Sequence, residues 1–171
     1  KKTQEGVLGK ILGGWQTNFI FTAQTGNATQ VFDGTGRADS WSRFDRPDLV
    51  ADPNLPRGDK TESRYFNIDA FQVVREPRYG TAPRMMVTQP GLWNTDFTLL
   101  KRFKFTESMG FEIRGDFYNI FNHANWRTID TTIRDSSNPN IGAPGTLANP
   151  YGRVNAFGEP REMQIGLKFL F

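Results

Sequence analysis

The last eleven residues of the chain alternate between apolar and mostly polar side chains. Because successive side chains of a β-strand point to opposite faces of its sheet, one face of this segment carries only apolar residues after Arg161: Met163, Ile165, Leu167, Phe169 and Phe171. The opposite face carries Glu162, Gln164, Gly166, Lys168 and Leu170. A strand with one apolar and one mostly polar face is typical of a sheet that has lipid on one side and water on the other. We therefore predict a membrane-facing strand at 161–171.

Three earlier segments, at about 14–25, 92–105 and 109–121, show the same alternation, and their apolar residues also fall mainly on odd-numbered positions. Each segment is long enough to cross a bilayer at a steep tilt. Lys101 interrupts the apolar row, so we expect it to lie near a membrane interface or to extend its amine toward water. We predict that the polar rows line the interior of a barrel, and the candidate lumen-facing residues are Asp96, Arg102, Glu112, Arg114, Asp116 and Lys168.

The connections between these segments are long, short and long. Segments 33–90 and 122–160 are rich in turn-forming residues, whereas residues 106–108 form a short turn. Structureless loops of such length argue against an ordinary compact domain, but outer-membrane barrels carry long external loops and tight periplasmic turns. This order predicts a carboxyl terminus in the periplasm, with small strands or turns in the first loop at its apolar patches, 65–68 and 71–74. Since about eight strands are needed to close a barrel, we expect a part of a larger barrel or one of several chains that complete it.

Composition excludes several other classes of protein. The absence of cysteine rules out disulfide frameworks, thiolate zinc sites and cysteine nucleophiles. The sequence contains no run of about 18 apolar residues, so it predicts no membrane-spanning helix. The net charge is +3, with 21 basic and 18 acidic residues interspersed along the chain, which is a poor electrostatic match for nucleic acid. The start at Lys1, with neither an initiator Met nor a signal peptide, leads us to expect a mature chain or a fragment.

Several short motifs, in a fixed order, give the chain a family resemblance. They are GWQ at 14–16, QTG at 24–26, RPDLV at 46–50, YFN at 65–67, AF at 70–71, PG at 90–91, DFYNIFNH at 116–123, YGR at 151–153 and PR at 160–161. With these motifs the chain resembles the carboxyl-terminal part of TonB-dependent outer-membrane transporters, in particular the Oar-like group with a carboxypeptidase-regulatory-like domain. Trp126 departs from that pattern, and 127–140 matches nothing in it, so nothing is carried over for that stretch.

The resemblance implies a 22-stranded barrel around a plug, energised through the TonB complex, in a bacterial outer membrane. This chain would supply the last four strands and two extracellular loops, and its partners would be the remaining barrel, the plug, the assembly machinery and lipid. The final strand resembles the barrel assembly signal at Gln164, Gly166, Phe169 and Phe171. The whole transporter would take up a nutrient such as a carbohydrate, peptide or metal chelate. This chain matches neither the plug nor the TonB-contacting segment, so by itself it should not transport.

No residue pattern indicates catalysis or a cofactor. His123 is the only histidine and cannot by itself complete a His-rich metal site. A loop calcium site is conceivable from a group of acidic residues, but a solvated mixed-charge loop is the better interpretation because no EF-hand spacing appears: Asp33, Asp39, Asp45 and Asp48. Glu112 and Asp116 lie roughly 13 Å apart along one strand face, too far for either glycosidase geometry. We expect neither an enzyme nor a metal or cofactor site.

The sequence thus predicts an all-β fold, an antiparallel transmembrane β-barrel segment with two long extracellular loops. We interpret Trp15 and Trp93, which open two of the strands, as parts of aromatic girdles at the membrane interfaces. A soluble, secreted all-β binding module remains an alternative, in which the same apolar rows would face a second sheet. A structural module that assembles through its exposed strand edges is a further alternative.

Overall fold

The computed structural model describes Gly9 and residues 11–36, 45–134 and 142–171. Its chain divides into two compact units. The sheet unit comprises Lys1–Ala23, Trp93–Ala124 and Glu159–Phe171, and the loop unit comprises Gln24–Leu92 and Asn125–Gly158. The predictions about Asp39 and about residues 135–140 lie outside the described residues.

The described residues form an all-β structure, as predicted. Its strands are β1 (Trp15–Gln24), β2 (Ala28–Thr29), β3 (Phe32–Asp33), β4 (Asp48–Leu49), β5 (Phe71–Gln72), β6 (Val87–Thr88), β7 (Leu92–Lys104), β8 (Gly110–Tyr118), β9 (Trp126–Ile129), β10 (Thr132–Ile133), β11 (Val154–Phe157) and β12 (Glu162–Leu170). Two short 3-10 helices, Arg57–Asp59 and Ile68–Ala70, lie in the first long connection. Helical backbone also occurs at Gly9, Ile11 and Leu12, just before β1.

The four long strands form one sheet in the order β1-β7-β8-β12. β8 pairs antiparallel with β7 and with β12. β1 runs antiparallel to β7, since its start lies beside Arg102 and its end lies beside Gly91. Neighbouring strands of the sheet are therefore joined in turn by the long, the short and the second long connection. No other described strand pairs with the outer edge of β1 or of β12.

β8 ends at Tyr118, three residues before the predicted end at 121. The cause is Asn119, whose φ of 50° turns the backbone out of the strand. Its side chain fixes the turn, because the amide donates to the carbonyls of His123 and Glu159 and accepts from the His123 N–H at 2.9 Å. An asparagine tolerates this left-handed conformation better than most residues.

The loop unit has a core of its own, to which both long connections contribute. Phe66 is 2% exposed, and its ring meets the rings of Phe71 and Tyr151 edge-on at 6.0 and 5.6 Å. The buried apolar residues are Val31, Tyr65, Phe66, Ala70, Phe71, Ala82, Val87, Ile129, Ile133, Tyr151 and Val154. The connections are thus packed together rather than structureless, and the patches 65–68 and 71–74 contribute a 3-10 helix, β5 and buried aromatics.

Short strands hold this core in place. They form four two-stranded sheets: β10-β3, β11-β9, β2-β6 and β4-β5. The β3-β10 pair is parallel and joins the first connection to the second, with Phe32 opposite Thr132. Residues 126–133, for which no family pattern was found, therefore supply β9 and β10 and two core side chains, Ile129 and Ile133.

Candidate functional site

The odd-numbered face of the four-stranded sheet is mainly apolar, and its side chains are most exposed on β1 and β12. Cross-strand register aligns its side chains in rows, such as Phe103, Phe111 and Phe169, in which the rings of Phe111 and Phe169 are 4.9 Å apart. On β12, Ile165 is 82% exposed and Leu167 is 63% exposed. An apolar surface of this extent is rare on a protein surrounded by water and marks contact with a membrane or another protein.

Lys101 lies on this apolar face and is only 4% exposed. Its amine donates to the carbonyl oxygen of Ile11 at 2.7 Å and to that of Gly13. The amine also lies over the ring of Trp15, 4.9 Å from its centroid. The cation is thus accommodated by backbone carbonyls and an aromatic ring that precede and open β1, at the end of the sheet where the short turn lies.

The even-numbered face carries paired charges. Arg102, Glu112 and Lys168 are aligned across β7, β8 and β12, and Arg102 donates to Glu112 through Nη2 at 2.7 Å and Nε at 3.1 Å. Two residues along β8, Arg114 pairs with Asp116 at 2.8 Å. Positive and negative groups therefore alternate along β8 and across the row of Arg102, Glu112 and Lys168.

Asp96, the sixth lumen-facing candidate, binds groups of its own sheet. Its carboxylate accepts from the backbone N–H of Asn119 at 3.0 Å and from the side-chain amide of Asn94 at 2.8 Å. Thr98, two residues further along β7, donates to Asp116 at 2.6 Å. The register therefore brings all six candidates to one face, where Arg102–Glu112 and Thr98–Asp116 link β7 to β8.

The terminal strand forms one edge of the sheet. Gln164, Gly166 and Phe169 lie opposite Asp116, Arg114 and Phe111 of β8, and Phe171 follows the end of β12. The other edge of β12 pairs with no described strand. The four residues of the predicted assembly signal thus lie along an open, exposed edge.

Aromatic side chains mark the two ends of β7. At one end Trp93 stacks on His123 at 4.1 Å, and Phe121 lies 6.3 Å from the same indole; at the other end are Trp15 and Phe103, around Lys101. Trp93 and Phe103 are ten positions apart, roughly 33 Å of strand or about 23 Å of membrane depth at a tilt of 45°. This spacing matches the apolar band of outer-membrane barrels, about 25 Å tall.

The acidic residues of the loop unit make contacts within that unit. Asp33 accepts from the backbone N–H and hydroxyl of Thr35. Hydrogen bonds from Arg78, together with the Thr81 N–H, lower the pKa of Asp48 to about 2. Within the described residues, no group of three acidic, His or Cys side chains is placed to hold a metal ion.

The loop unit also contains a cavity of about 500 Å³ that sequence patterns did not reveal. Segments 24–29 and 126–128 form its walls together with Gln89, Pro90 and Leu92. Gly26 is required there, because a Cβ atom at this position would stand 1.7 Å from the carbonyl oxygen of Gln89. The glycine was visible in the sequence, but its packing partner lies 63 positions away, so local patterns could not have disclosed the cavity.

In the described part of the chain, no helix is both long and apolar enough to span a membrane. A family model of the outer membrane beta barrel domain matches residues 1–164. No curated protein and no solved structure matches the chain. The match covers nearly the whole sequence and agrees with the antiparallel sheet and its two contrasting faces. The chain therefore belongs to the outer membrane beta barrel domain family.

Proposed function

We propose that this chain is the carboxyl-terminal barrel segment of a TonB-dependent outer-membrane transporter of the Oar-like group. The observation that carries the proposal is the four-stranded sheet itself. It has an exposed apolar face, a charge-paired face and two edges that pair with no other described strand. Family membership supports the barrel, and the ordered motifs, from GWQ at 14–16 to PR at 160–161, support the transporter. The transported nutrient is a carbohydrate, a peptide or a metal chelate.

Lipid, rather than a second protein layer, covers the apolar face in this proposal. Ile113 and Leu167 lie side by side on that face and are 38% and 63% exposed. In the soluble alternative the same side chains would be packed against another sheet. The exposure and the family match together favour lipid.

The short β7-β8 turn lies in the periplasm and the loop unit lies outside the cell. Short turns and long loops are distributed in this way in known outer-membrane barrels. Four strands that cross the membrane in alternation then place the carboxyl terminus in the periplasm.

The open edges of β1 and β12 pair with the remaining strands of the barrel, which surrounds the plug. Hydrocarbon offers no hydrogen bonds to the exposed N–H and C=O groups of an edge strand, so both edges require strand partners. β12 also presents its aromatic end to the outer-membrane assembly machinery, and the plug connects the barrel to the TonB complex. The charged side chains of the polar face pair mainly with one another, and we propose no catalytic role for them.

Sidedness can be tested by single-cysteine labelling of the intact protein, to which this chain contributes no cysteine and in which any cysteine elsewhere is replaced by serine. Leu147→Cys, at a loop-unit position that is 86% exposed, should react with a membrane-impermeant maleimide in intact cells. Phe105→Cys, in the β7-β8 turn and 68% exposed, should react only after the outer membrane is permeabilised. The reverse pattern would refute the orientation.

Lipid contact can be tested on two adjacent residues of β12. A lipid-soluble probe should label Ile165→Cys but spare Gln164→Cys, because the two side chains point to opposite faces. Equal labelling would refute the lipid-facing assignment.

Transport requires a separate measurement in cells that express the intact protein. Growth on the transported nutrient should stop when either this gene or TonB is deleted. Growth that depends on this gene but not on TonB would refute the TonB-dependent mechanism while leaving the barrel intact.

A further inference from the structure

The cavity of the loop unit has the size of a binding site for a small molecule. Its volume of about 500 Å³ lies within the usual range of roughly 300–1,000 Å³. Two glycines in or beside its wall are positions of close backbone approach. A Cβ on Gly26, which lines the cavity, would stand 1.7 Å from the Gln89 carbonyl oxygen, and one on the neighbouring Gly91 would stand 2.7 Å from that of Gln24. The cavity wall is therefore built from tightly apposed backbone segments.

Four of the polar side chains around the cavity are uncharged and available, whereas Gln89 and Thr128 already bond to Ile129 and Asn155. The side chains of Gln24, Thr25, Asn27 and Thr29 line it, and none of them bonds to a described residue. Amides and hydroxyls both donate and accept hydrogen bonds, as the hydroxyl groups of a sugar do. All the lining residues belong to the described part of the chain, and none of them is acidic. The cavity therefore offers no counter-charge to a metal ion or an amine.

Trp126 supplies the aromatic surface of the cavity. It is half-buried, and its ring meets the ring of Tyr65, a core residue, edge-on at 6.0 Å. This contact fixes the indole, and a rigid aromatic side chain binds a ligand at little cost in conformational entropy. An indole beside amides and hydroxyls suits a ligand that has both an apolar ring face and polar edges.

Arg127 adds one positive charge to the same cavity. It is exposed and forms no ion pair with the residues that the structure describes. Elsewhere in the loop unit, Arg78 and Arg134 are paired with Asp48 and Asp130. An unpaired guanidinium is well suited to a carboxylate, which it can bind through two parallel hydrogen bonds.

We propose that this cavity binds an oligosaccharide that carries a carboxylate, such as a uronic-acid chain. Trp126 lies against a sugar ring, Gln24 and Asn27 bind sugar hydroxyls, and Arg127 pairs with the carboxylate. The inference deepens the proposed function by naming a substrate class, and rests on it only for the position of the loop unit outside the cell.

The test measures binding to the intact protein, purified from outer membranes in detergent. An array of neutral and uronic-acid oligosaccharides is screened first, and calorimetry then compares tetragalacturonate with its uncharged methyl ester. We expect tetragalacturonate to bind at least tenfold more tightly than the ester. Arg127→Ala should remove this preference without weakening the binding of the ester, and the double variant Gln24→Ala with Asn27→Ala should weaken both ligands at least tenfold.

Matched controls come from the same unit. Gln72→Ala removes an exposed amide outside the cavity, and Arg57→Ala removes an exposed guanidinium on a 3-10 helix; both variants should bind as the native protein does. The variants at Gln24, Asn27 and Arg127 change exposed side chains, so limited proteolysis should show a native loop unit in each of them.

Three results would overturn the inference: no oligosaccharide of the array binds, the ester binds as tightly as the acid, or the cavity variants bind like their controls. These outcomes are separable from failure of the proposed function. Saccharide binding without TonB-dependent growth would refute the transporter alone, whereas TonB-dependent growth without saccharide binding would refute only this inference.

Discussion

Replacing Leu99 with Arg tests which face of the sheet contacts lipid. β7 runs from Leu92 to Lys104, so its midpoint is residue 98, and Leu99 lies about 3.4 Å further along the strand, or about 2.4 Å in depth at a tilt of 45°. Arg at the bilayer midplane of a barrel costs about 2–4 kcal/mol on the lipid face. The Leu99→Arg protein should lose that much free energy of unfolding.

Leu100 provides the matched control, because it is the same residue type at the next position and points to the opposite face. It lies opposite Arg114, so Leu100→Arg introduces a like-charge pair that costs about 0.2–1 kcal/mol. The two variants should therefore differ by at least about 1 kcal/mol, or roughly fivefold in the folding equilibrium.

The assay is urea-induced unfolding of the intact protein in phospholipid vesicles, followed by tryptophan fluorescence, with the free energy obtained by linear extrapolation. Equal destabilisation by the two substitutions would show that both faces meet the same environment. A larger loss for Leu100→Arg would place lipid on the even-numbered face and would refute the assignment.

Three further predictions concern single contacts. Phe66→Ala should destabilise the loop unit by about 3–5 kcal/mol, because its ring is buried between two aromatic rings; limited proteolysis should detect this loss but little change in Tyr79→Ala, whose side chain is exposed. Lys101→Met should lower stability in vesicles by about 1–3 kcal/mol, since the Gly13 carbonyl loses its donor and the Ile11 carbonyl keeps only that of Trp15 Nε1. A native-like unfolding curve would contradict this role of Lys101. Because Arg78 lowers the pKa of Asp48 to about 2, their pair stabilises the fold above about pH 4, and this stability is lost as the pH falls toward 2. The susceptibility of the loop unit to proteolysis should therefore depend less on pH, between pH 4 and 2, in Arg78→Gln than in the native protein. An unchanged profile would argue against the pair.

The sheet was predictable because its information is local. A strand repeats its environment every second residue, so β12 and its apolar face could be derived from eleven consecutive residues. The charged row of Arg102, Glu112 and Lys168 follows from the same parity once the register is known. The register itself depends on pairing between distant segments, and the individual ion pairs therefore appear only in the structure.

The loop unit could not be predicted in this way, because its core has no period. Phe66 and Tyr151 are 85 positions apart and meet edge-on. The strands of the loop unit are only two to four residues long, too short to show a repeating pattern. The contact of the Lys101 amine with the carbonyls of Ile11 and Gly13 depends on a turn that no alternation describes. The cavity beside Trp126 was missed for the same reason.

The shared core of the two connections restricts how this protein can change over evolution or in the laboratory. Tyr65 and Phe66 come from the first connection, and Ile129 and Tyr151 come from the second, so deleting either connection would strip the apolar partners from the other. Grafting one of these loops onto a different barrel would transplant half of a hydrophobic interior. The two loops should be inherited, exchanged and engineered as a pair.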